Sequence, residues 1–262
     1  MQKRYDFGRN WSAFAAKIDD QKIQQAQDWL SRLFPDLQGT SFLDIGCGSG
    51  LHSLAALHLG ASHVTAIDID ADSVRTTRDL LEKFAPNKNW TVEKVDITDK
   101  QSNLGMYDNV YSWGVLHHTG DMWNAITKST NLVAPQGHLA LALYLKTSFC
   151  SLWRIEKRIY ANSHMIRPFF KIPFAFALLL RQLLSLQNPL TYITTYAEKG
   201  RGMSFWNDID DWLGGYPYES VDSSNLNVFL EQHNFTLVRE FNTQPGIGLL
   251  GTTCGEWVFK KT

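Results

Sequence analysis

The run Phe42-Leu43-Asp44-Ile45-Gly46-Cys47-Gly48-Ser49-Gly50 constrains this chain more than any other stretch. An apolar strand leads into a turn with glycine at every second position, and an alanine- and leucine-rich segment, 51–59, follows as a helix. Glycine accepts positive φ and lets another group approach the backbone closely. A turn of this kind at a helix N-terminus is built to hold a ligand. The next strand, His63-Val64-Thr65-Ala66-Ile67-Asp68, ends in a carboxylate about twenty residues on, where nucleotide-type folds hydrogen-bond a ribose. The spacing G-x-G-x-G departs from the G-x-G-x-x-G of dehydrogenases and disfavours a dinucleotide site.

Leu43-Asp44-Ile45-Gly46-Cys47-Gly48-Ser49-Gly50 resembles motif I of the class I S-adenosylmethionine (SAM) dependent methyltransferases, and Asp68 matches the acidic residue ending their second strand. The pattern continues at Val95-Asp96-Ile97 and over Tyr107 to His118. That last run resembles the fourth-strand motif of the small-molecule branch, such as the quinone-biosynthesis methyltransferases. The motifs together span residues 40–145.

The resemblance implies an α/β fold with a doubly wound, seven-stranded, mostly parallel sheet in the order 3-2-1-4-5-7-6. It also implies SAM as cofactor and S-adenosylhomocysteine as product. Carried over residue by residue, Asp44 and the Gly46-Cys47-Gly48 backbone face the methionine end of SAM. Asp68, with Ile69 beside it, serves the ribose, Asp96 and Ile97 the adenine, and Ser112 and Trp113 stand beside the donor methyl.

The 262 residues, 44% hydrophobic and 19% charged, suit one large α/β domain with a substantial insertion. A net charge of −1 gives no global basic field, so nucleic acid is not the expected partner. No apolar run follows Lys3 and Arg4, which argues against a signal peptide. Cys47, Cys150 and Cys254 are an odd, scattered set, which argues against disulfides and against a zinc site. The expected compartment is cytoplasmic.

Residues 1–38 read as an aromatic segment and a helix. Ile23, Ala26, Leu30 and Leu33 recur at helical spacing, Asp19 or Asp20 can cap, and Pro35 follows the end. Tyr5 to Trp11 is either a hydrophobic staple or, as in similar methyltransferases, a lid that brings Trp11 onto the cofactor. Asp70 or Asp72 caps a helix to Phe84, and strands follow over 90–97 and 110–115. A helix over 122–133, a turn at Pro135-Gln136-Gly137 and a fifth strand over 138–145 complete the SAM-binding core, 39–145. The tail, 221–262, carries a helix capped by Ser223 and a hairpin of strands 235–241 and 256–259.

Residues 146–220 exceed what the family core needs. Their first part is basic and apolar, and Ile172 to Leu186 is strongly hydrophobic but short of a membrane span and interrupted by Arg181. A helical cap, a substrate lid and a membrane-surface helix over 154–186 all suit it. The second part, 201–219, is dense in Trp, Tyr, Asp and Gly, and Arg201, Trp206 and Tyr216 are its candidates for acceptor binding.

Methyl transfer to a hydroxyl gains from a base of near-neutral pKa, which singles out the adjacent His117 and His118. Ser112-Trp113-Gly114-Val115 stands where amino-methylating enzymes of nucleic acid or glutamine carry N/D-P-P-Y. The sequence therefore points to a hydroxyl of a small molecule or glycan, with a lipid-linked or protein acceptor, or a non-catalytic SAM-binding subunit, as alternatives.

Overall fold

The computed structural model describes residues 11, 12, 14–16, 18–99, 104–163, 165–196 and 204–262, without the Asn207 side chain. Seven strands form one sheet: β1 (Ser41–Ile45), β2 (His63–Asp68), β3 (Trp90–Lys94), β4 (Tyr107–Trp113), β5 (Val133–Tyr144), β6 (Phe235–Phe241) and β7 (Cys254–Lys261). Their order is β3-β2-β1-β4-β5-β7-β6, as the motifs imply. The first five are parallel, and β7 runs antiparallel between β5 and β6. Parallel pairing requires crossover helices and buries both faces of the sheet.

Helices α1 (Asp20–Leu33), α2 (Leu51–His58) and α3 (Ala71–Phe84) cover one face, where Leu30, Leu54 and Leu81 meet Phe42, Val64, Ala66 and Val258. Helices α4 (Met122–Asn131) and α9 (Ser223–Glu231) cover the other, packing Ile126 and Leu226 on Leu43, Ile45, Val110 and Trp257. The period of two along each strand sends neighbours such as Phe42 and Leu43 to opposite cores. Asp19 caps α1 by accepting from Lys22 N, and Asp70 caps α3 by accepting from Asp72 N and Ser73 N.

Several boundaries differ from the sequence reading: β4 covers Tyr107–Trp113 in place of 110–115, β7 runs Cys254–Lys261 in place of 256–259, and α4 ends at Asn131. β3 stops at Lys94 because Asp96 turns back to accept from Thr98 N and Oγ1. β5 begins at Val133 and absorbs the Pro135-Gln136-Gly137 turn as an irregularity, with Gln136 at φ 64° and a register shift opposite Tyr107. Asp222, not Ser223, caps α9.

Between β5 and α9 the chain leaves and returns at one point, where Leu145 bridges Val221. The excursion forms α5 (Cys150–Asn162), α6 (Arg167–Leu184), α7 (Pro189–Thr194) and α8 (Phe205–Gly214), which share a third apolar cluster around Tyr160, Ala175, Phe205, Ile209 and Leu213.

Candidate functional site

The glycine turn lies between the C-terminal end of β1 and α2, with Gly46, Gly48 and Gly50 at φ of 80°, 54° and 79°. Gly46 N and Cys47 N both donate to Ile67 O, and Gly48 N donates to Asp68 Oδ2 at 3.0 Å. The turn is thus strapped to the end of β2. A side chain at Gly46 would place its Cβ 2.4 Å from Val115, so that glycine is demanded by packing as well as by φ. At Gly48 a Cβ would sit 3.1 Å from the Trp11 ring, which lies over the turn.

Two carboxylates back this turn. Asp44, at the end of β1, is 3% exposed and accepts from Ser53 Oγ at 2.6 Å. Burial pushes its pKa up to about 7, against the Ser53 hydrogen bond and with help from the charge of Asp68. Burial likewise raises Asp68, although Asp70 N and Gly48 N both donate to it. Burial also lifts the Cys47 thiol well above its usual range. Two carboxylates whose charge is costly in one pocket are suited to a ligand that brings positive charge.

They open on a cavity of about 700 Å³ at the carboxyl ends of the strands, where open α/β sheets bind ligands. Its lining includes Trp11, Gly46, Cys47, Gly48, Asp68, Ile69, Asp96 and Ile97. Trp113, His118, Tyr144, Asp211, Tyr216 and Glu256 line it as well. The carboxylates and the side-chain-free turn fit SAM, which joins an amino-acid end bearing an ammonium, and a sulfonium, to an adenosine. Asp44 and the turn would hold the amino-acid end, and Asp68 and Asp96 the adenosine.

Some residues expected at the site stand elsewhere. Ser112 is 1% exposed and donates to Ile45 O, pinning β4 to β1 behind the wall. His117 is fully buried, 3.9 Å from the Tyr144 ring centroid, and does not line the cavity. Burial, with the nearby charges of His118 and Lys157, holds it well below the usual histidine range. His118 does reach the cavity, but its Nδ1 lies 2.7 Å from Pro217 O and burial pulls its pKa down to about 4. Trp206 is 45% exposed and packs against Phe205 and Lys171 away from the cavity. Tyr216 does line it, while Arg201 and residues 5–10 of the expected lid lie outside the described residues.

Tyr144, Asp211 and Glu256 are wall residues that the sequence reading missed. Trp113, Ala142 and Glu256 stand in one row across β4, β5 and β7, a neighbourhood created only by strand register. A signal exists for Glu256: it is the one acid of β7, just ahead of the apolar run Trp257-Val258-Phe259, and it is 5% exposed.

Residues 43–139 match the family described as "Methyltransferase domain". A tRNA U34 carboxymethyltransferase of Trichlorobacter lovleyi is 29% identical over 135 residues, 50% of this chain and 41% of that protein. A ribosomal protein L11 methyltransferase of Aliivibrio fischeri is 33% identical over 121 residues, 46% of this chain and 38% of the relative. The chain thus spans about two-fifths of the length of these relatives. Among solved structures, the magnesium protoporphyrin IX methyltransferase of Synechocystis with bound S-adenosylhomocysteine aligns with a TM-score of 0.54 at 16% identity, covering 92% of this chain and 82% of that one. The N-methyltransferase NodS of Bradyrhizobium japonicum, also with S-adenosylhomocysteine, aligns at 0.54 and 13% identity over 98% of both chains. At such identities these two speak for the fold.

The relatives correct one expectation: they are named for tRNA and a ribosomal protein, against a small-molecule or glycan acceptor with no nucleic acid. The low global charge, from which that expectation came, is silent about acceptors met through a local surface. Residues 43–139 thus match a methyltransferase domain, and the sheet order is that of the class I methyltransferases, whose cofactor is SAM.

Proposed function

We propose that the chain transfers a methyl group from SAM to an amine of a protein acceptor. The observation that carries this reading is that two carboxylates, Asp211 and Glu256, line the cavity together with Tyr144, Tyr216 and Trp113. Carboxylates among aromatic faces suit a cationic amine, through charge-assisted hydrogen bonds and ring quadrupoles. A hydroxyl acceptor would need a base, and His118, with a pKa of about 4, is a weak one. The relative named for a ribosomal protein supports a protein acceptor.

When bound, SAM supplies a methyl group activated by its sulfonium. Asp44, Asp68 and the glycine turn orient the donor, and Trp11 over Gly48 keeps water from it. Asp211 or Glu256 first takes a proton from the bound ammonium; the freed lone pair then forms the C–N bond as the C–S bond breaks, and the positive charge passes from the sulfonium to the methylated nitrogen. His118 acts through the hydrogen bond that anchors Pro217, holding Tyr216 in the wall. Positioning and exclusion of water then supply most of the acceleration.

Incubating the purified chain with methyl-labelled SAM and separate protein and tRNA fractions tests this. Label is expected in protein, and Glu256→Gln or Asp211→Asn should lower turnover by roughly 10²-fold with SAM affinity unchanged. Label in tRNA alone would refute the protein acceptor. SAM binding without transfer to either fraction would favour the non-catalytic subunit.

A further inference from the structure

Exposed apolar surface is concentrated on the α5–α6 hairpin. Thirteen of the 21 exposed large apolar side chains among the described residues lie between residues 152 and 190. The inner side of α6 packs Phe174, Ala175 and Leu178 into the cluster with Tyr160, Phe205 and Ile209. Its opposite side carries Phe169, Ile172, Phe176, Leu180 and Leu183 at spacings of three and four, with Phe169 78% exposed and Ile172 65%. Leu152 and Ile155 of α5 add a second exposed pair, 61% and 58% exposed. A contiguous stripe of this kind marks a docking surface.

Charge decides what docks there. Residues 150–196 hold six of the chain's 25 Lys and Arg but only Glu156 of its 26 Asp and Glu, leaving 19 basic against 25 acidic elsewhere. Lys157 is buried and Lys171 pairs with Asp210 at 2.6 Å, on the packed side. Arg154, Arg158 and Arg181 are exposed on the two helices, Arg154 with its Nε donating to Tyr218 O. A second copy seated on this face by a two-fold axis would bring the same arginines together and be repelled. An anionic lipid surface accepts both features, apolar side chains below the headgroups and arginines among them. No helix among the described residues is long and apolar enough to cross a membrane, so the hairpin would lie along the surface.

We propose that the α5–α6 hairpin docks the chain on an anionic bilayer surface. Sedimentation with phosphatidylcholine vesicles, with and without phosphatidylglycerol, at low and high salt, tests this. The anionic vesicles should carry the chain down at low salt, the neutral ones far less, and salt should release it. Ile172→Glu with Phe176→Glu should lower the partition coefficient roughly tenfold or more. Both positions are exposed, and unchanged SAM affinity would show that the variant is folded. Arg158→Glu with Arg181→Glu should weaken binding to anionic vesicles selectively. No binding to anionic vesicles at low salt would overturn the proposal, as would binding indifferent to the Ile172 and Phe176 substitutions. Sedimentation velocity showing a dimer that those substitutions dissociate would also overturn it, assigning the stripe to a second copy.

Discussion

Asp44 ties SAM affinity to pH with a sign fixed by its burial. Its pKa in the ligand-free chain, about 7, stands above the ordinary 3.8 because the carboxylate is buried. The ammonium of the ligand's amino-acid end, placed beside it, favours the ionised form, so binding below pH 7 requires loss of a proton. At about pH 6 that costs about 1.4 kcal/mol, an affinity roughly tenfold below its plateau at about pH 8. Titration calorimetry in two buffers of different ionisation enthalpy should find close to one proton released per SAM at the lower pH. Asp44→Asn should bind weakly and without this slope. In the ligand-free chain the raised pKa is a stability cost, absent below pH 3.8 and complete above pH 7. Asp44→Asn should therefore be more stable than the parent at about pH 8, by up to about 4 kcal/mol, with the difference vanishing on acidification. Affinity unchanged between these pH values would refute the reasoning. A slope retained in Asp44→Asn would move the linkage to Asp68.

Other outcomes follow from the same geometry. Asp68→Ala should weaken SAM binding by about 1–3 kcal/mol in calorimetry, because bound hydroxyls lose a charged acceptor and Gly48 N loses its partner. Gly46→Ala should destabilise the fold by about 2–4 kcal/mol in denaturant titration, with partial rescue by Val115→Ala, since the new Cβ meets Val115 at 2.4 Å. Trp11→Ala should speed hydrogen exchange at Gly48 and weaken SAM binding; unchanged exchange and affinity would remove Trp11 from the wall. His118→Ala should raise KM for the acceptor while leaving SAM affinity intact. With a pKa of about 4, His118 should place no limb in the pH–rate profile near neutrality.

The part of the cavity around the glycine turn was legible because its signals are local. The glycine turn, Asp44 and Asp68 lie within 25 residues of one another and sit at strand ends fixed by a simple apolar pattern. The part walled by Glu256 and Asp211 was not, because strand register and the insertion assemble it: Glu256 joins Trp113 only through β5, and Asp211 arrives on α8. Ser112 and His117 misled for a physical reason. Both stand in or next to β4, but side chains alternate along a strand and bend away at its end, so nearness in sequence to the ligand edge does not decide which side chain faces it. The insertion left cap, lid and membrane surface open because α6 is apolar on both sides, and only its packing on α5 and α8 shows which side is spent.

A crystal structure of the chain with S-adenosylhomocysteine tests the central claim most directly. The product should lie along the cavity with its amino-acid end at Asp44 and the glycine turn, its ribose at Asp68, and its sulfur turned toward Trp113 and Tyr144. Product bound elsewhere, or a ribose held by groups other than Asp68, would contradict it.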